Sequence, residues 1–183
     1  MAEFKFKKTN LEDVYVIEPE VFGDQRGFFM ETYNKEEFKK HGINVDFVQD
    51  NHSKSKKGVL RGLHFQKKCP QGKLVRVIKG GVYDVAIDLR KSSKTFGKWF
   101  GVELSAENKK MFWVPKGFAH GFVTLEDDTE FVYKCDQFYH PEDEGGLIWN
   151  DPGLKIDWPI ENPTLSEKDQ DFPTLKKLNF FFK

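Results

Sequence analysis

"KLVRVIKGGVYDVAIDL", residues 73–89, decides the fold class. Apolar residues run to Ile78, the Gly80–Gly81 pair interrupts them, and Tyr83, Val85, Ile87 and Leu89 then alternate with other residues. Strand-type patterning on both sides of a glycine turn predicts a β-hairpin. Comparable segments follow it. "KWFGVEL" (98–104) sets Phe100, Val102 and Leu104 on one face, and "MFWVP", "HGFVTL" and "EFVYKCDQFY" come next, with "EDDT" as the turn between the last two. Regularly spaced short strands predict a sandwich or barrel. Helix is scarce. Asn34 and Glu37 fit a capping box closed by Gly42, and Ser166 followed by Asp169 fits a second helix start.

The chain has 183 residues, of which 38% are hydrophobic, and carries 29 basic and 29 acidic side chains. That length suits one domain, residues 1–183, with a core that needs no disulfide. Zero net charge argues against nucleic acid or an anionic membrane as the main partner, since both reward excess positive charge. The opening "MAEFKFKKTN" lacks the apolar centre of an export signal, and no apolar run reaches spanning length. Cys69 and Cys135 fall in no metal-binding or CxxC spacing, so they are expected as reduced thiols of a cytoplasmic protein, with Cys135 in the core. The closing "NFFFK" predicts packing against a neighbouring strand or subunit.

Chemistry concentrates in "GVLRGLHFQKKCPQGKLVRV", residues 58–77, which sets an arginine, a histidine and a lysine in an apolar, glycine-punctuated segment. Arginine is rare here: only Arg26, Arg61, Arg76 and Arg90 occur among many lysines. A retained arginine is a candidate for its fork of donors, which grips carboxylate or phosphate bidentately. Among the histidines, His41 precedes a helix-closing glycine, while His52 and His140 lie in polar runs. His64 in "RGLHF" and His120 in "PKGFAHGF" are embedded among apolar residues and glycines. "PKGFAH" resembles the second histidine motif of the cupin barrels. Metal-binding cupins add a His-x-His pair and a glutamate on the first motif; here that stretch reads "GLHFQ", and no carboxylate occurs from Val59 through Tyr83. Two histidines leave a transition metal short of ligands, so a metal oxygenase is not expected. A metal-free histidine can act as a general base, given an orienting carboxylate, an acid and a charge stabiliser. Asp169, Tyr133 and Lys73 suit those tasks by type, but their spacing does not bring them together. Asp169 could equally complete a helix N-terminus.

From "FGDQRGFFMET" through "FVQDNHSKSKKGVLRGLHFQ", "PQGKLVRV", "DVAIDLR", "WVPKGFAHGF" and "IWNDPGLKIDWP" to "LSEKD", the chain resembles the dTDP-4-dehydrorhamnose 3,5-epimerase family. The resemblance implies a cupin-type, jelly-roll β-barrel with a few short helices, needing no metal or organic cofactor. It implies a dTDP-4-keto-6-deoxy sugar as substrate and inversion at C3 and C5 through an enolate. His64 would be the base, Asp169 its orienting partner, Lys73 the cation at the enolate oxygen, and Tyr133 the acid. Arg61 would contact the diphosphate, Gln49, Asn51 and His120 the ligand, and Tyr139 would stack on the base. In a homodimer, the segment with Arg26, Phe29 and Glu31 would cross to the partner's site. A single-site epimerase and a non-catalytic sugar-nucleotide-binding cupin are the alternatives. In a straight strand Arg61 and His64 would point to opposite faces. An irregular backbone is therefore expected at Arg61–Gly62.

Overall fold

The computed structural model describes residues 3–183. In chain order its elements are β1 (Phe4–Lys8), β2 (Tyr15–Pro19), β3 (Phe22–Asp24), β4 (Gly27–Phe29), α1 (Lys35–Lys40), β5 (Gln49–Ser55), β6 (Leu60–Gln66), β7 (Lys73–Lys79), β8 (Gly81–Asp88), β9 (Trp99–Ser105), β10 (Met111–Val114), β11 (Phe118–Thr124), β12 (Thr129–Cys135), β13 (Glu144–Gly146) and α2 (Glu167–Gln170). A six-stranded sheet has the order β1-β2-β10-β7-β12-β5, and a five-stranded sheet the order β13-β6-β11-β8-β9. Strands β3 and β4 form a separate ribbon. The fold is mainly β and jelly-roll-like, as expected, although the sheets do not close into a barrel.

Alternation along each strand divides the residues into three apolar layers. Between the sheets lie Val16, Val75, Val77, Phe112, Val114 and Phe131 from one wall and Val82, Ala86, Leu104, Phe118 and Phe122 from the other, with Phe100 and Val102 packed against them. Outside the six-stranded sheet, Phe38 of α1 packs on Phe4, Ile17, Leu74, Met111 and Trp113. Helix α1 starts as its sequence suggests, with Asn34 accepting from the Glu36 and Glu37 amides, and Gly42 follows at φ +84°. Outside the five-stranded sheet, Leu63, Phe65, Val85, Ile87 and Leu89 are covered by the C-terminal segment. Phe180 stacks on Phe65 there and Phe182 meets it edge-on, and Lys91 donates its amide to the Phe182 carbonyl at 2.9 Å. The "NFFFK" tail thus covers its own sheet with partly buried rings.

Residues 73–89 are two strands, but not a hairpin. β7 pairs with β10 and β12, whereas β8 pairs with β11 and β9. Gly80, at φ +71°, is a corner where the chain leaves one sheet for the other. A side chain there would strike Thr129, since a Cβ would sit 2.5 Å from its Oγ1. The inward residues of β7 and β8 meet across the core instead of sharing a ladder.

The irregularity expected at Arg61–Gly62 is present. His120 pairs with His64 and Phe122 with Arg61, so Gly62 and Leu63 oppose Gly121 alone. This bulge turns both Arg61 and His64 toward one cavity. Gly62 has φ +124°, and a Cβ on it would lie 2.6 Å from the Gly121 Cα and 2.8 Å from the His120 carbonyl oxygen. Neither backbone can move without breaking the central strand pair. The Gly62→Ala protein should therefore lose about 2–4 kcal/mol of unfolding free energy. Urea denaturation checks this, and a variant as stable as the parent would contradict the close approach described.

Candidate active site

Several inward positions of the sandwich are polar. Lys73 precedes Val75 and Val77 on β7, Tyr133 and Cys135 follow Phe131 on β12, and His120 stands between Phe118 and Phe122 on β11. Asp84 replaces an apolar residue between Val82 and Ala86 on β8. An open cavity of about 670 Å³ results, and Arg61, His64, Lys73, His120, Tyr133, Tyr139 and Asp169 all line it.

His64 Nε2 lies 2.6 Å from Asp169 Oδ1, across 105 residues of sequence. Asp169 is in the first turn of α2, where its amide bonds the Ser166 hydroxyl at 3.3 Å. Its backbone completes the helix start while its side chain turns to His64. Burial disfavours its ionisation, but the His64 hydrogen bond and nearby Lys168 outweigh that and hold the carboxyl below its usual range. His64 Nδ1 has no hydrogen-bond partner among the described residues and is left for a ligand.

On the opposite sheet, Lys73 Nζ sits 6.0 Å from the Tyr133 ring centroid. Burial pushes the Lys73 ammonium down from the ordinary lysine range, against the attraction of Asp84 and Glu144. The Tyr133 phenol is pushed up to about 12, again chiefly by burial. His120 Nε2 is 2.8 Å from Asp84 Oδ1. Asp84 is fully buried, its Oδ2 has no partner, and burial raises its carboxyl despite His120 and Lys73.

Arg61 donates from Nε and Nη2 to the Ser55 hydroxyl at 3.2 and 3.1 Å. A neutral hydroxyl orients the guanidinium without cancelling its charge, which suits an anionic ligand. Arg90, by contrast, is spent on Asp88 and Asp13, and Arg76 lies on the outer face of β7, in a second cavity of about 290 Å³ that Asn51 also lines. Tyr139, 47% exposed at the cavity mouth, donates its hydroxyl to Glu144 Oε2 at 2.7 Å. Glu144 also receives Lys168 Nζ at 2.6 Å and stands 3.7 Å from His64 Nε2.

Other sequence-predicted residues lie off this cavity. Gln49 accepts the Tyr139 amide at 2.9 Å and donates to Asn51 at 3.0 Å. Arg26 is on the β3–β4 ribbon, paired with Asp24. Phe28 and Phe29 there are 60% and 67% exposed, and Glu31 Oε2 is buried without a partner. Sequence reasoning missed Asp84, Ser55, Glu144 and Lys168. An acid at an inward position of an apolar strand marks Asp84; Glu144 and Lys168, in the charged runs "PEDEGG" and "LSEKD", carry no comparable signal. Among the described residues, no group of three or more His, Cys, Asp or Glu could hold a metal ion, and no helix is long and apolar enough to cross a membrane.

Residues 8–177 match the family model described as dTDP-4-dehydrorhamnose 3,5-epimerase. The enzyme of that name from Methanothermobacter thermautotrophicus is 54% identical over 97% of both chains. The Legionella pneumophila 3,5-epimerase, solved in complex with dTDP-4-keto-L-rhamnose, superposes with a TM-score of 0.95 at 47% identity, covering 99% of each chain. A 3'-monoepimerase from Streptomyces bikiniensis, bound to dTDP-quinovose, superposes at 0.86 with 34% identity, over 92% of this chain and 86% of that one. With a family model spanning so much of the sequence and a full-length relative more than half identical, this chain belongs to the dTDP-4-dehydrorhamnose 3,5-epimerase family.

Proposed function

We propose that this protein converts dTDP-4-dehydro-6-deoxy-D-glucose into dTDP-4-dehydro-L-rhamnose, within dTDP-L-rhamnose biosynthesis, through its own side chains. The observation that carries this is one cavity with the His64–Asp169 pair on one wall and Lys73 with Tyr133 on the other. The C4 ketone acidifies the protons on C3 and C5. His64 takes one of these protons on Nδ1, and the ionised Asp169 at Nε2 supports the imidazolium that forms. The electron pair moves onto the C4 oxygen, where the Lys73 ammonium stabilises the enolate. Tyr133, whose phenol stays protonated throughout the working pH range, returns a proton to the opposite face of the carbon. Before the second carbon is inverted, and again before the next turnover, His64 gives its proton to solvent and the tyrosinate takes one back from solvent.

Arg61 suits the diphosphate, His120 the sugar end, and Tyr139 stacking on the base, with Gln49 and Asn51 behind it. Arg26, Phe29 and Glu31, outside their own chain's cavity, serve the neighbouring site in a homodimer; the exposed Phe28 and Phe29 and the unpartnered Glu31 oxygen support that reading. We take the chain as one cytoplasmic domain. A single-site epimerase is the second reading, because the monoepimerase that resembles this chain shares the fold.

Incubation with dTDP-4-dehydro-6-deoxy-D-glucose in D2O, followed by proton NMR, should show deuterium entering at both C3 and C5 with inversion. In the His64→Ala protein, exchange should slow by ~10²–10⁴-fold. Exchange and inversion at one carbon alone would establish the single-site reading, and binding without exchange would remove the catalytic one. In the pH profile of kcat/KM, activity should fall on the alkaline side as Lys73 loses its proton. Because burial lowers this pKa, the limb should lie below the ordinary lysine value of about 10.4. Lys73→Arg should move the limb upward and Tyr133→Phe should leave it in place. Sedimentation should give about twice the 21.4 kDa chain mass, and serines at Phe28 and Phe29 should shift it toward monomer.

A further inference from the structure

Tyr139 stands at the cavity mouth on two side-chain hydrogen bonds, its hydroxyl to Glu144 Oε2 at 2.7 Å and its amide to Gln49 Oε1 at 2.9 Å. Nearly half its surface is exposed, and it follows the end of β12 in an irregular segment that no strand pairs with. Its neighbours are nevertheless fixed. Gln66, two residues beyond His64 on β6 and 4% exposed, donates from Nε2 to the Phe138 carbonyl at 3.1 Å and to the Cys69 carbonyl at 2.6 Å. Its Oε1 accepts the His140 amide at 2.6 Å. One side-chain amide therefore bonds the residue before Tyr139, the residue after it, and the loop that leads to Lys73. Other side chains stitch the same two loops together: Gln71 donates to the Gln137 carbonyl at 2.8 Å, and Asp136 accepts the Gly72 amide at 2.7 Å. Among the described residues, only the Gln66 side chain hydrogen-bonds to both neighbours of Tyr139.

We infer that Gln66 is a positioning residue that presets Tyr139 for the nucleobase at a fixed span from His64. The inference rests on the stacking role proposed for Tyr139. A nucleotide sugar is long, and its two ends must meet His64 and Tyr139 together. Gln66 is anchored in the strand that carries His64 and grips the backbone that carries Tyr139. A preset ring spares the ligand the entropy of ordering that segment. Gln66 also lines the cavity, but its amide is committed to the Cys69 and Phe138 carbonyls and the His140 amide, so the expected effect is on binding.

The test uses Gln66→Met, which keeps length but removes the polar atoms, and Gln66→Glu, which turns an acceptor toward two carbonyls. Each is measured for dTDP affinity by calorimetry and for kcat and KM, alone and with Tyr139→Ala. Both should raise the dTDP Kd and the KM by about threefold to tenfold, with kcat close to the parent's. With Tyr139 replaced by alanine, the further loss should vanish. If Tyr139→Ala leaves dTDP affinity unchanged, the stacking role fails and takes the inference with it. If Tyr139→Ala weakens dTDP while a folded Gln66→Met protein binds normally, or if the two losses add, the inference alone is overturned. A measurement on the unaltered protein stands even where a variant does not fold. Without ligand, the His140 amide, bonded by the Gln66 side chain, should exchange slowly with D2O. Rapid exchange there would also overturn the inference.

Discussion

Alternate residues of a strand face inward, and the chemistry of this protein depends on how those inward positions are divided. Most of them hold apolar residues such as Val75, Val77, Val82, Ala86, Phe112 and Phe118, which keep the sheets together. Interspersed with these on the same strands are Lys73, Asp84, His120 and Tyr133. The same strands serve both purposes, so the cavity cannot be altered without touching the core. Buried polar groups must also find partners. His64 has Asp169 and His120 has Asp84. Among the described residues Asp84 Oδ2 and Glu31 Oε2 are the exceptions, and a charge there would be costly to leave unpaired.

Period-two patterning made the strands legible, because a half-buried sheet writes its two faces directly into the sequence. It could not say which strands pair. Val75 and Val77 facing Val82 and Ala86 across a core give the same alternation as a hairpin would, and Gly80–Gly81 suits either. Hydrogen-bond partners are a long-range property, and residues 73–89 contain no information about β10 or β11. The bulge at Gly62 was legible for a different reason. Two functional side chains an odd number of residues apart must share a cavity, and only a break in alternation allows that. Asp169 lay between extremes: its residue type and helix-start position could be read, but its contact with His64 depends on folding 105 residues back. Glu144 and Lys168 were invisible, since an ion pair at a cavity rim has the composition of any solvated surface.

Desolvation then sets how these groups behave. Burial shifts Lys73, Tyr133 and Asp84 toward their neutral forms, in keeping with the cost of charge away from water. Asp169 goes the other way, because its bond to His64 outweighs burial. The two walls therefore differ in kind. The His64 wall keeps a permanent anion behind its imidazole, while the Lys73 wall holds a cation made easier to deprotonate and a phenol made harder. In a less polar site, the field of one ammonium at a developing oxyanion is stronger than it would be in water.

The division between walls has a stereochemical consequence. Inverting a carbon requires a proton to leave one face and another to arrive at the opposite face. A base and an acid on one sheet would approach the substrate from the same side and return the original configuration. His64 projects from β6 of the five-stranded sheet, and Tyr133 from β12 of the six-stranded sheet, so on the proposed mechanism a flat enolate between them would meet one group on each face. Lys73 shares the Tyr133 wall. Asp169 reaches His64 from α2, behind the ring, and leaves the gap between the sheets clear. Two facing sheets with a few inward positions exchanged thus meet the geometric requirement of epimerisation using rigid elements, and the bulge at Gly62 is what brings the base into line.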